Sequence, residues 1–309
     1  MSSTTSGSSV IELDPARERE DKFLKLMDCL IGETVNECYM ITEYVCHGQT
    51  AGIMEGSCTR TGRKIVLKLS RPDDHSIIHE IRVMRQLGWS PYIPQMLAWS
   101  LNGIHVRYFV CIQEKQSLWK HYLQNGAFDL QQSLIVAHDV FRGLQFLHQN
   151  KIVHRDLHPG NLVISSDEAT AIKLIDFGQS GIRINEEDYE SVVDQTQCNP
   201  VFFSPLSVLQ GEESVEADDL HQAMLGLLKL RDSPITRLSL SEFNAMKLEL
   251  VRNCSAALPL EEEVLADVLT QVFEAQRYEP CGLVAKFPDH DALIRSVQSI
   301  HGFNPDTKF

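Results

Sequence analysis

A chain of 309 residues, 43% hydrophobic and 23% charged, is long enough for two sizeable cores and needs no covalent staples to fold. Its formal net charge of −14 argues against a nucleic-acid binder that works by neutralising phosphates, and its longest apolar runs fall far short of the roughly 18 residues a membrane span needs. Eight cysteines at 29, 38, 46, 58, 111, 198, 254 and 281 form no C-x-x-C pair, which fits reduced thiols in an intracellular protein, cytoplasmic or nuclear.

The opening MSSTTSGSS has no apolar h-region and no Gly at position 2, so residues 1–12 read as a disordered tail without a secretory or myristoylation signal. Residues 13–35 read as a helical extension. Asp14 is placed to cap it, Pro15 fits the first helical position, and Phe23, Leu26, Met27, Leu30 and Ile31 recur at helical spacing. From Cys38 the pattern changes to strand formers: "YMITEYV", "AGIMEGSC" and "RKIVLKLS", an antiparallel meander. A helix "SIIHEIRVMRQL" follows, with Ile77, Ile78, Ile81, Met84 and Leu87 on its apolar side, then strands in "QMLAWSLNG" and "IHVRYFVCIQE". This predicts an α+β lobe over residues 36–114, with five antiparallel strands and one helix.

Residues 115–309 read as a second, mainly helical lobe. "FDLQQSLIVAHDVFRGLQFLHQN" carries Leu130, Leu134, Ala137, Phe141, Leu144 and Leu147 along one stripe, as a buried helix would. Next comes "IVHRDLHPGN", in which an Asp is followed five residues later by an Asn, a spacing that phosphoryl transfer can use. Two short strands, "NLVIS" and "AIKLIDF", flank a polar turn and bring Asn161 and Asp176 to neighbouring ends of a hairpin.

"HRDLHPGN" and "IDFG", with their aspartates 20 residues apart, make the chain from about Tyr39 onward resemble the protein kinases. The resemblance implies a bilobal kinase fold that binds ATP and Mg²⁺ between its lobes. It implies roles position by position: Asp156 accepts the hydroxyl proton, Asn161 and Asp176 hold magnesium, Lys68 of "IVLK" holds the α- and β-phosphates, and Glu80 pairs with Lys68. Glu114, at the end of the last small-lobe strand, is carried as a further nucleotide contact. Transfer of a phosphoryl group spreads charge over oxygens, so positioning and cations do most of the work.

The pattern is departed from in places. The glycine-rich loop aligns with "CHGQTAGI", so Cys46, Gly48 and Ala51 stand at its glycines and Ile53 at its valine. Glycine lets backbone approach phosphate closely, so Cys46 and Ala51 are expected to loosen the grip. Val66 replaces the usual Ala and narrows the adenine roof. His158 replaces the usual Lys and predicts faster transfer at pH 6 than at pH 8 if its charge matters. Leu206 stands where a Glu normally anchors the activation segment, so that anchor must differ. Asp219 is expected to brace the catalytic loop. Ser180, Tyr189, Ser191 and Thr196 are candidate phosphorylation sites for Arg155 to receive.

The missing Glu and the short Lys68-to-Glu80 interval are similar to the casein-kinase-one group, and "LHPGN" also resembles small-molecule and RIO-type kinases. The leading expectation is slow phosphoryl transfer from ATP to Ser or Thr of a protein substrate. The alternatives are a pseudokinase acting as scaffold or decoy, and a small-molecule kinase. A regulatory protein partner is a further expectation, with the N-terminal helix as one candidate contact; nucleic-acid and membrane partners are not expected.

Overall fold

Side-chain alternation along the small-lobe strands sorts their residues onto two faces, and each face is covered by a different helix. The structure, a computed structural model, describes residues 15–48, 51–71, 74–101, 106–184, 189–190, 202–209, 213–257, 260–274, 276–279, 282–285, 289–306 and 309. Helix α1 (Pro15–Leu30) is followed by β1 (Thr34–Val35), β2 (Tyr39–His47), β3 (Ala51–Cys58), β4 (Lys64–Ser70), α2 (Ser76–Leu87), β5 (Met96–Ser100) and β6 (Arg107–Ile112). The sheet order is β1-β2-β3-β4-β6-β5, and every pair is antiparallel. The expected tail and the capping Asp14 lie outside the described residues.

The sheet thus has one strand more than expected. Asn36 and Glu37 both adopt positive φ (47° and 65°), and this turn folds Thr34 and Val35 back onto Met40 and Tyr39. The extra strand starts the sheet inside the stretch read as helical extension.

On one face of the sheet, Ile41, Met54, Ile65, Leu67, Leu69, Ala98 and Val110 form a core with Phe23 and Met27 of α1. On the other, Phe109 and Cys111 join the main core together with Ile77, Ile81 and Met84 of α2. The sheet is therefore held between two helices. Met27 sits so close to Gly52 that a Cβ there would lie 2.2 Å from its sulfur, and Arg71 stacks 5.2 Å over the Phe23 ring.

The larger lobe comprises α3 (Leu118–Asn125), α4 (Leu130–Gln149), β7 (Ile152–Val153), β8 (Leu162–Ile164), β9 (Ile172–Leu174), β10 (Gly181–Arg183), β11 (Tyr189–Glu190), α5 (Leu206–Leu209), α6 (Glu216–Leu230), α7 (Leu240–Ala257), α8 (Ala266–Glu274), β12 (Gln276–Glu279), β13 (Gly282–Ala285) and α9 (His290–Ser299). Asp129 and Gln132 close a capping box on α4, whose stripe packs on α6, α9 and β9. Two elements escape the sequence reading. Helix α3, capped by Ser117, buries only Leu118 and so shows little apolar period, and the β12–β13 hairpin interrupts a stretch read as helical.

Phe23→Ala is expected to cost about 3–5 kcal/mol through the cavity under α1. Ile31→Ala, on an exposed side chain, should stay within about 0.5 kcal/mol. Urea midpoints of the two variants check this, and equal midpoints would contradict the packing of α1.

Candidate active site

Lys68 lies on the α2-facing side of β4, opposite Ile53 in β3 and Phe109 in β6. Helix α2 turns Glu80 to the same side as Ile77, Ile81 and Met84. The Lys68 Nζ meets Glu80 Oε2 at 2.7 Å and Asp176 Oδ1 at 2.8 Å. The other Glu80 oxygen accepts the Phe177 N–H at 3.2 Å, and His79 Nε2 bonds the Ser180 carbonyl at 2.7 Å. Helix α2 is thus tied directly to the segment after β9. Phe177 is buried beside His154, with ring centroids 5.1 Å apart.

Lys68 and Glu80 are withdrawn from solvent, and burial alone would neutralise them. For Lys68 burial is outweighed by the carboxylates of Asp176 and Glu80, so its pKa is raised. Burial pushes Glu80 up to about 7 despite Lys68. Asp176 keeps 42% of its side chain exposed, and against the desolvation it does suffer Lys68 holds it below the usual carboxylate range.

The catalytic-loop stretch between β7 and β8 is fixed from α6. Asp219, fully buried, accepts the N–H of His154 at 2.7 Å and of Arg155 at 2.8 Å and meets His148 Nε2 at 2.9 Å, as the sequence reading expects of a brace. Gln222, which the sequence reading missed, accepts the Leu157 N–H at 2.9 Å and donates to the Arg155 carbonyl at 3.0 Å. Arg155 and Asp176 adopt positive φ (71° and 67°), strained backbone that this network overdetermines around the first of them. Asn161 Nδ2 donates to the Asp156 carbonyl at 2.9 Å and to its Oδ2 at 3.2 Å. Burial, and then the charge of Asp176, pushes Asp156 up to about 7.

His158 takes a different role from the one expected. Its Nδ1 accepts the Gly160 N–H at 3.0 Å, so the ring proton sits on Nε2, 4.0 Å from Asp156 Oδ1. Burial, and then the neighbouring His154, holds His158 below its ordinary 6.5. A lowered His158 pKa shifts the charge on which the acid-side acceleration rests toward more acid pH.

The remaining candidates fall as follows. Cys46 pairs with Ile53 across β2 and β3, the Gly48 N–H donates to the Ala51 carbonyl at 2.8 Å, and Val66 lies on the same face of β4 as Lys68, opposite Cys111. The Glu114 side chain has partners of its own. Its Oε1 meets Lys173 at 2.8 Å and its Oε2 accepts the Ser166 N–H at 2.6 Å, so the carboxylate is committed to joining the hinge to the β8–β9 hairpin.

Magnesium suits the donor set. Asn161 keeps its carbonyl oxygen and Asp176 its Oδ2, both hard oxygen donors, while no cluster of three or more His, Cys, Asp or Glu among the described residues could hold a metal alone. Such a pair expects phosphate and water to complete the shell.

The expected change of anchor after the activation segment is visible. Phe202 stacks on Phe243 of α7 (4.3 Å, 8°), and Lys247 donates to the Ser204 carbonyl at 2.9 Å while lying 4.9 Å over the Phe243 ring. Burial lowers Lys247 to about 8. Phe203 faces the His158 ring at 6.2 Å. Among the phosphorylation candidates, Ser180 is fully buried and donates to the Phe177 carbonyl, while Ser191 and Thr196 lie outside the described residues. Arg155 meets Glu213 at 2.7 Å and lies against Gly181, where a Cβ would come within 2.3 Å of its Cζ.

A cleft with a lysine paired to a helix glutamate, two oxygen ligands and a braced aspartate defines a phosphoryl-transfer class of fold. A model of the protein kinase domain matches residues 39–221, more than half of the chain, and the chain belongs to this family. It is similar to 3-phosphoinositide-dependent protein kinase 1 of Caenorhabditis elegans, 30% identical over 122 residues covering 37% of this chain and 19% of that protein. It is also similar to the dual specificity protein kinase FUZ7 of Mycosarcoma maydis, 29% identical over 171 residues (55% and 38%), and to Aurora kinase B of Drosophila melanogaster, 27% identical over 154 residues (49% and 44%). Each match spans less than half the length of the relative. Among the described residues no helix is long and apolar enough to cross a membrane.

Asp219→Ala strands two buried N–H groups, each worth about 1–3 kcal/mol. A fall in thermal midpoint larger than that of Asp219→Asn, which keeps an acceptor, is the expected result. Equal midpoints for wild type and Asp219→Ala would deny the brace.

Proposed function

We propose that the chain transfers the γ-phosphoryl group of ATP, with Mg²⁺, to Ser or Thr hydroxyls of a protein substrate. The observation that carries this reading is the Lys68–Glu80–Asp176 junction facing Asp156 and Asn161, the five charged or metal-facing positions that are intact. In the reading, Lys68 holds the α- and β-phosphates, and Asn161 and Asp176 face the metal, which shields phosphate charge when bound. Asp156 orients the acceptor hydroxyl and takes its proton. His158 offers its Nε2–H beside Asp156, in place of a permanent cation. Cys46, Ala51 and Val66 support a slow enzyme. The pseudokinase alternative shares every one of these contacts and differs in turnover alone, so turnover is what separates them.

Phosphate incorporation from labelled ATP into the protein and into mixed acidic and basic acceptors should fall by about 10²–10⁴ in Asp156→Asn. Equal silence in wild type and variant would favour the scaffold. The base form of Asp156 is the working one, so its raised pKa, about 7 before a metal binds, puts an acid limb on kcat/KM and the rate climbs with pH through it. Magnesium on Asp176 would move the limb down by masking that charge. His158→Gln should leave the limb in place; a limb that disappears with it would return His158 to the titrating role.

A further inference from the structure

A groove of about 500 Å³ lies behind the connection between the lobes, and none of Lys68, Asp156, Asn161 or Asp176 borders it. The turn into β4 supplies Arg63 and Lys64, the loop after α2 supplies Trp89, Pro91 and Ile93, and the chain leaving β6 supplies Lys115. Its two acidic residues are already engaged: Glu114 and Asp167 both bind Lys173, at 2.8 and 2.5 Å.

Arg63, Lys64 and Lys115 are exposed, and their side chains make no hydrogen bond or ion pair among the described residues. Four of the six charged residues in the groove are basic, in a chain whose formal charge is −14. Beside these cations Trp89 is 73% exposed, the most exposed large apolar side chain among the described residues. An indole left in water beside free cations lacks the apolar cover and the counter-charge that both favour. The volume admits one large side chain with its neighbours and no folded domain.

We propose that this groove is a docking surface for an acidic linear segment of a partner protein, seating one large apolar side chain against Trp89. Charge complementarity selects the acidic segment and Trp89 selects its apolar residue. A nucleic acid would also bring negative charge, but a long polyanion meets the repulsion of the whole chain, whereas a short segment meets only the local cations. The groove stands apart from the phosphate-facing residues, so docking is independent of turnover and of bound nucleotide.

The test is fluorescence anisotropy of a labelled Asp-Glu-Leu-Phe-Glu-Asp peptide on the full chain. The same peptide with lysine at every acidic position and a labelled oligothymidine are the comparison probes. The acidic probe should bind, weaken with salt and be undisturbed by saturating ATP. Charge reversal by Arg63→Glu with Lys64→Glu, and separately Trp89→Ala, should each weaken it at least about tenfold. These side chains are exposed, and an unchanged thermal midpoint confirms that the variants fold. Absence of binding, equal binding of the lysine probe, indifference to either variant, or tighter binding of the oligothymidine would each overturn the proposal.

Discussion

Lys68 gathers two carboxylates from elements far apart in the chain, Glu80 from α2 and Asp176 from the segment after β9. Neither Lys68 nor Glu80 would keep its charge in this setting alone, because removing a charge from water costs several kcal/mol that only a close partner offsets. The junction therefore makes three local structures depend on one another: the face of β4, the docking of α2, and the turn that sets Phe177 under the helix. Glu80 reinforces the last of these by accepting the Phe177 N–H with its second oxygen. Displacing any one of them would leave a buried charge unpaired.

The surroundings of that junction compensate for features that kinases of the usual pattern possess and this chain lacks. Where glycines are missing from the loop between β2 and β3, α1 adds support from the opposite face, with Met27 pressed on Gly52 and Glu20 3.2 Å from His47, which is itself bonded to Tyr44. Where the anchoring glutamate has become Leu206, the Phe202–Phe243 stack and Lys247 hold the chain around Ser204. In the catalytic loop, backbone hydrogen bonds to Asp219 and Gln222 replace dependence on any single ion pair. Rigidity at the site is thus assembled from packing on both sides of the sheet and from side-chain-to-backbone bonds.

Strongly periodic elements were legible in the sequence. Strand β3 and helix α2 coincide with the runs "AGIMEGSC" and "SIIHEIRVMRQL", and the stripe on α4 is buried as its spacing required. The meeting of Lys68 with Glu80 and of Asn161 with Asp156 was legible because their motifs are local and ordered. What escaped was non-local or conformational. Nothing near Lys247 or Gln222 in sequence signals the backbone groups they serve, the turn at Asn36 and Glu37 depends on positive φ, and α3 buries too little to show a period. The partners of two site candidates were likewise not legible: Lys173 and Ser166 engage the Glu114 side chain, and the Gly160 N–H sets the tautomer of His158.

The central claim is that the Lys68 junction is assembled in the unmodified chain, without a phosphate on the activation segment. The most direct test is the initial rate of phosphate transfer by phosphatase-treated protein, measured after the phosphatase is removed and compared with untreated protein. Equal initial rates with no lag are the result this account predicts. A treated protein that is silent, or that accelerates only as phosphate accumulates on the chain, would contradict it.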